Sequence, residues 1–386
     1  MTMSRRRRVI VCGAAALFAV AALVAYGAIA RGFEAALLLG DLAAGSGPSP
    51  LKSLTPSPTR SAVTYGIEGR NHGGDLYRPQ TQARAALVLV PGALATGKDD
   101  PRLIAFATTL ARAGFDVLAP NLPTVRALRL NAADAQDVAD AVRYLSDTDG
   151  GRRLGIAALS YAAGPAIIAA LDPAVGTKVK FILAIGGYYD TEAVLTFFTT
   201  GYYQDPPGGP WRHRPPNSYG KWLFVASNVD SVAEFSDRAI LQQMADRKMA
   251  DLSADIGDLA RKLGPEGRAV YDLVDNADPA RVPALIHALP EAVQSSIHAL
   301  DLKTRNLSRL IPDLILVHGE DDAIIPESES KSMQAAAAPE KARLFLVKHL
   351  AHVDLKTIDT GDAIALWRAV YSLLKERDDP AAQRAD

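Results

Sequence analysis

The chain is nearly devoid of cysteine: Cys12 stands in its first stretch and none follows. That excludes a disulfide framework and any cysteine-based metal site in the folded part. Excess charge is also missing. Lys and Arg number 42 against 43 Asp and Glu, a net charge of -1, so no basic surface is offered to a phosphate backbone and nucleic acid is not an expected partner. Long hydrophobic runs are absent with one exception. Behind the basic cluster Arg5 to Arg8, residues Val9 to Ala30 carry no charge, enough at helical rise to cross a bilayer core of roughly 30 Å. The expectation is a single N-terminal transmembrane anchor (residues 1-31), arginines cytoplasmic, with everything after Arg31 exported. A cleaved signal peptide is the alternative, since Ala28-Ile29-Ala30 has the small-x-small form of a cleavage site, although the apolar run exceeds the usual h-region.

A chain of 386 residues fits one catalytic α/β domain with one inserted subdomain. Phe33 to Ala44 has the pattern of a short amphipathic helix continuing from the anchor. Gly45 to Thr59, rich in Gly, Ser and Pro, reads as a linker, so residues 32-59 are expected to lie outside a fold that begins near Arg60. Residues 61-68 and 72-78 suggest a β-hairpin around Gly69 to Asn71. Beyond it, short bounded apolar runs predict buried parallel strands at Ala85 to Val90, Asp116 to Ala119, Leu154 to Leu159, Phe181 to Ile185, Leu314 to Val317 and Leu344 to Val347.

Helices separate most of these runs. Asp100 is placed to cap one, with Pro101 at its first position and Leu103, Phe106, Ala107 and Leu110 on one face. The last, from about Asp362 to Lys375, is expected to bury Ile364, Trp367, Val370, Tyr371 and Leu374. The sum is a mostly parallel, doubly wound sheet over residues 60-190 and 311-378, with a short tail at 379-386. Residues 191-310 break the alternation with no convincing strand and read as an inserted helical lid.

Leu154 to Leu159, then Ser160-Tyr161-Ala162-Ala163-Gly164, reads as a strand, a sharp turn and a helix, with Ser160 at the turn. A nucleophile held there needs small neighbours two residues before and two after, so that strand and helix can approach; Ala158 and Ala162 fill those places. On its own, a serine ending a strand is more often a helix cap. Two later segments change the balance. Leu314 to Gly319 followed by Glu320-Asp321-Asp322-Ala323-Ile324-Ile325-Pro326 puts Asp322 in a loop after a strand, and His352 follows Ala351 just beyond the last strand.

Together these segments resemble the α/β-hydrolase family, whose nucleophile, acid and histidine occur in this order. The family's usual elbow has glycine where this chain has Ala158 and Ala162. The resemblance spans roughly Ser61 to Lys375 apart from the lid, and it implies a triad of Ser160, Asp322 and His352. Asp190 is the reserve acid, His349 the other histidine after the acid. A metal pair of His349 and His352 is the weaker reading, and no metal or cofactor is expected. The resemblance also implies two backbone oxyanion donors, Tyr161 after the nucleophile and Ala93 or Leu94 in the turn Pro91-Gly92-Ala93-Leu94.

The expected activity is hydrolysis of a carboxylic ester through an acyl-enzyme. A peptidase, thioesterase, lactonase or acyltransferase would use the same residues, and a catalytically silent, membrane-tethered binding module is the rival of another class. Phe197, Phe198, Tyr202, Tyr203, Trp211, Tyr219, Trp222 and Phe224 crowd one stretch of a chain otherwise low in aromatics, at 6%. Phe197, Phe198 and Tyr202 are therefore expected to line an acyl pocket for an apolar substrate. Oligomeric state is open.

Overall fold

The computed structural model describes residues 26-352, 354-355 and 359-379. The proposed anchor lies mostly outside them; among the described residues no helix is long and apolar enough to cross a membrane.

Eight strands form one sheet: β1 (Thr59–Ile67), β2 (Arg70–Arg78), β3 (Ala85–Val90), β4 (Phe115–Pro120), β5 (Arg153–Leu159), β6 (Val179–Ile185), β9 (Asp313–Gly319) and β10 (Ala342–Val347). Their spatial order is β1-β2-β4-β3-β5-β6-β9-β10. β2 is antiparallel to both its neighbours and every other pairing is parallel. The opening hairpin turns at Glu68 and Gly69, whose φ values are 49° and 80°. Two consecutive positive φ angles suit the right-handed twist of the flanking strands, and the turn sits one residue earlier than the sequence pattern suggested.

All six residues of β3 are buried, and they alternate between two cores. Ala86, Val88 and Val90 face the helices Asp134–Thr148 and Ala163–Leu171, whereas Ala85, Leu87 and Leu89 face the helices Pro101–Arg112 and Thr360–Asp378. Strands covered on both faces need apolar residues at every position, which is why the runs were visible in the sequence. The cap at Asp100 is also present, its side chain accepting from Arg102 N at 2.8 Å.

Two expectations are corrected here. Residues 32-59 do not lie outside the fold. Residues 26-44 form a helix, which we term the N-terminal helix, and its Ala35 and Leu38 are buried in the second core together with Leu51 of the short helix Pro50–Leu54. Buried Asp41 accepts from Thr109 Oγ1 at 2.5 Å and pairs with Lys52 at 3.0 Å. Burial alone would push its carboxyl up, but Ser49, Thr109 and Lys52 together hold it below the ordinary range. Glu34 pairs with the buried Arg377 guanidinium.

The C-terminal helix (Thr360–Asp378) is the second correction. It buries Leu366, Ala369, Leu373 and Leu374, while Ile364 is 54% and Trp367 36% exposed. Of the expected side, Leu374 is buried and Val370 and Tyr371 pack half-buried against the second core, whereas Ile364 and Trp367 stay at the surface, where Trp367 Nε1 donates to Gly32 O at 2.8 Å.

Between β6 and β9 the chain leaves the sheet and forms a helical subdomain: Thr191–Thr200, Tyr219–Asn228, Phe235–Ala250, Pro265–Asp275 and Glu291–Leu300 are its longer helices. It has its own core around Met244, Leu273 and Val293. One detail departs from the all-helical expectation: β7 (Tyr202–Gln204) and β8 (Trp211–His213) form a small antiparallel hairpin.

Candidate active site

β5 ends at Leu159, and the chain reverses into a short helical turn, Ser160–Ala162, followed by the helix Ala163–Leu171. Ser160 takes φ 54°, a left-handed conformation that costs a non-glycine residue of order 1 kcal/mol or more. Its hydroxyl does not cap the helix. It lies 2.6 Å from His352 Nε2, and His352 Nδ1 lies 2.8 Å from Asp322 Oδ2. Donation from Nδ1–H to the carboxylate leaves Nε2 to accept the serine proton, the tautomer assigned by this network. Gly186 (φ 63°) comes within reach of the same cluster: a Cβ there would stand 3.3 Å from His352 Nδ1 in a backbone conformation that side chains resist.

Asp322 is fully buried. Its Oδ1 accepts from Ile324 N at 2.8 Å and Ile325 N at 3.0 Å, leaving Oδ2 for the imidazole. Burial alone pushes this carboxyl up, but His352 and His318 outweigh it and hold it well below the usual carboxylate range. An acid that stays ionised is what a neighbouring imidazolium requires. Buried His318, 3.5 Å from Asp322 Oδ2, bonds Ser330 Oγ at 2.7 Å and Ile325 O at 2.9 Å, and so backs the acid from behind.

The turn after β3 packs against the elbow, so close that a Cβ on Gly92 would lie 3.2 Å from Leu159 O and 3.5 Å from Ser160 Cβ. Leu94 N donates to Gly92 O at 2.9 Å. That bond occupies Leu94 N, which leaves Ala93 of the two candidates on this turn. The Tyr161 phenol sits between Asp134 Oδ2 at 2.7 Å and Asn131 O at 2.9 Å, and burial pushes its pKa up.

The helical subdomain reaches this site through Tyr219, from the aromatic-rich stretch, and through Asn217 and Arg214, which sequence reasoning did not single out. Tyr219 Oη donates to Ala93 O at 2.7 Å, Asn217 N to Ala323 O at 2.6 Å, and Arg214 to Asp322 O at 2.7 Å and Glu327 at 2.8 Å. No local pattern marks Arg214; only the folded helical subdomain brings it to the acid loop.

A cavity of about 150 Å³ opens beside Ser160 and Tyr161, walled by Tyr188, Leu195, Phe198, Leu223 and Phe224. Of the three aromatics expected to line it, only Phe198 does. Phe197 is fully buried, edge-on to Tyr203 with Arg214 above it. Tyr202 lines a separate polar cavity with Trp211. Asp190 is a helix cap, accepting from Glu192 N and Ala193 N and paired with Lys303 at 2.6 Å. His349 bonds Asp362 at 2.6 Å. Among the described residues His349, Asp359 and Asp362 form one group with metal-ligand spacing, yet Asp359 and Asp362 are already spent on capping the C-terminal helix.

No family model and no curated protein matches the chain. Among solved structures it is similar to a dienelactone hydrolase from Anabaena variabilis, with 12% identity over 82% of this chain and 98% of that one and a TM-score of 0.44. It is similar also to a serine hydrolase from Cycloclasticus zankles, with 15% identity, 85% and 100% coverage and a TM-score of 0.43. A hypothetical protein from Pseudomonas aeruginosa gives 18%, 84% and 95%, with a TM-score of 0.43. The chain's own architecture is a mostly parallel α/β sheet with an antiparallel second strand, a tight serine-bearing turn after β5 and a helical subdomain inserted after β6.

Proposed function

We propose that the protein is a serine hydrolase of carboxylic esters with an apolar acyl group. The observation that carries this reading is the single imidazole bridging Ser160 and Asp322 at 2.6 and 2.8 Å, over a turn that holds the serine at positive φ. Ser160 Oγ attacks the ester carbon while its proton passes to His352 Nε2. The oxyanion that forms is held by Tyr161 N–H and Ala93 N–H. His352 then gives the proton to the departing alkoxide, leaving an acyl-enzyme, and a water deprotonated by His352 releases the acid and restores Ser160. Asp322 stays ionised throughout and stabilises the charged imidazole.

The substrate preference follows from the walls of the cavity. Phe198, Leu223 and Phe224 offer apolar surface beside the nucleophile, so in a series of p-nitrophenyl esters each added methylene is expected to raise kcat/KM by up to about 0.8 kcal/mol until the cavity is full. Phe198→Ala should flatten this trend, and Phe197→Ala should lower thermal stability instead. A chain-length profile that Phe198→Ala leaves unchanged sinks the pocket assignment. Turnover undiminished in Ser160→Ala sinks the mechanism.

The same proposal places the folded part outside the cytoplasm, on the strength of Arg5 to Arg8 and the charge-free run after them. A reporter fused after residue 386 should be active only on the exported side, and cytoplasmic activity there rejects this topology.

A further inference from the structure

On the face of the sheet opposite the lid lies a larger cavity, about 370 Å³, between the N-terminal helix, the helix Pro101–Arg112 and the C-terminal helix. Its volume is roughly a dozen times the share of one water in the liquid. Aliphatic and aromatic side chains dominate its walls, among them Leu38, Leu42, Leu103, Phe106, Leu366 and Leu373. Asp100 and Arg102 are its only ionisable lining residues, and they bond each other at 3.1 Å. The cavity thus presents no unspent charge to a ligand. Its inner end reaches Pro91, Gly92 and Leu159, the residues just before the oxyanion turn and the nucleophile.

The helix that walls this cavity also points to the occupant. Its first described residues, 26-30, belong to the charge-free run Val9 to Ala30, and along residues 26-33 it carries Tyr26 and Ile29 at 73% exposure and Phe33 at 65%. Those positions, spaced by three and four, form one apolar stripe left in the open. Such a stripe, continuing an apolar run of membrane-spanning length, is accounted for by lipid around it, and the cavity lies further along the same helix, at Leu38 to Ala43.

We propose that this cavity is a binding site for one acyl chain of a bilayer phospholipid, drawn in alongside the N-terminal helix. Burial of the chain against Leu38, Leu103 and Leu373 fills the void, and the chain's far end abuts the back of the Pro91-Gly92 turn. The site is distinct from the acyl pocket under the lid. It rests on the proposed membrane anchorage and is independent of the hydrolase reading.

The test uses the full chain in phosphatidylcholine vesicles containing a phosphatidylcholine with a diazirine in one acyl chain. After illumination, peptide mapping should find adducts within residues 38-43, 103-110 and 366-373, in addition to the apolar run. Treating the protein beforehand with a fluorophosphonate, which occupies the serine site, should leave those adducts unchanged. Ala369→Phe, which fills the cavity and touches none of the proposed catalytic groups, should reduce them at least about fivefold while hydrolysis of a short soluble ester persists. Adducts confined to residues 1-30 overturn the proposal. So do adducts on the lid-side pocket that vanish with the fluorophosphonate, or adducts obtained with a free diazirine fatty acid but not with the phospholipid. Where Ala369→Phe does not fold, the wild-type adduct map decides alone. Adducts at the predicted peptides in a protein without hydrolase activity would support this site and reject the catalytic proposal, so the two fail separately.

Discussion

Asp322 does three things with three oxygens. Oδ1 is tied to two backbone N–H groups, Oδ2 orients His352, and the carbonyl of the same residue is held by Arg214 from the helical subdomain. Replacing it by Asn keeps the size and the Oδ1 acceptor, but turns an NH2 toward His352 Nδ1. The imidazole must then accept at Nδ1 and carry its proton on Nε2, the wrong tautomer for receiving a proton from Ser160. By analogy with the serine-protease triad, turnover in Asp322→Asn should fall by about 10⁴-fold with little change in Tm. Steady-state kinetics on a short ester check this, and a loss under tenfold contradicts the role assigned to Asp322. The order of Ser160, Asp322 and His352 was legible because each stands at a strand end, in a local pattern that needs no tertiary knowledge. The back-up by His318 and the grip of Arg214 and Tyr219 were not, because they depend on side chains meeting across more than a hundred residues or through a buried loop.

At the scale of elements, the strands announced themselves through unbroken apolar runs, and the hairpin β7–β8 was missed because three-residue strands are too short to show alternation. The N-terminal helix was misjudged for a different reason. Its neighbouring Gly, Ser and Pro residues resemble a linker, yet Asp41 reaches Thr109, 68 positions away, and Glu34 reaches Arg377, 343 away. Composition carries no record of such contacts. The corrected boundary has a consequence for truncation. A chain lacking residues 1-25 should retain its Tm and activity once solubilised. One lacking residues 1-59 should be destabilised by several kcal/mol, since it strips Ala35, Leu38 and Leu51 from the core and leaves buried groups such as Thr109 and Arg377 without their partners. Thermal denaturation of the two truncations checks this; equal stability contradicts the placement of residues 26-59 within the fold.

Over the whole molecule, the helical subdomain and the sheet are joined by a buried carboxylate, Glu329, whose oxygen accepts from Tyr189 N at 2.9 Å and Asp190 N at 2.7 Å where the chain enters the subdomain. In sequence it sits in the polar stretch Glu327 to Ser332 and looks like a solvated helix face, although it is 3% exposed. Burial pushes its carboxyl up from 4.5 to about 7, against the two backbone donors that pull it down; Asp190 adds to the rise and His318 opposes it. The folded state therefore holds this proton more tightly than the unfolded chain does. Its stabilising contribution is complete below pH 4.5 and is lost as pH rises toward 7. Glu329→Gln should remove that slope, so the difference in Tm between variant and wild type should change steadily across this window and level off above it. A difference independent of pH contradicts the assignment.

The central claim is that the fold activates one particular serine, and a fluorophosphonate probe measures this directly, because it reacts only with an activated hydroxyl. The full chain should be modified once, on the peptide carrying Ser160, with modification absent in Ser160→Ala and strongly slowed in Asp322→Asn. A wild-type protein that stays unmodified under conditions that saturate a known serine hydrolase, or one modified at another residue, would contradict it.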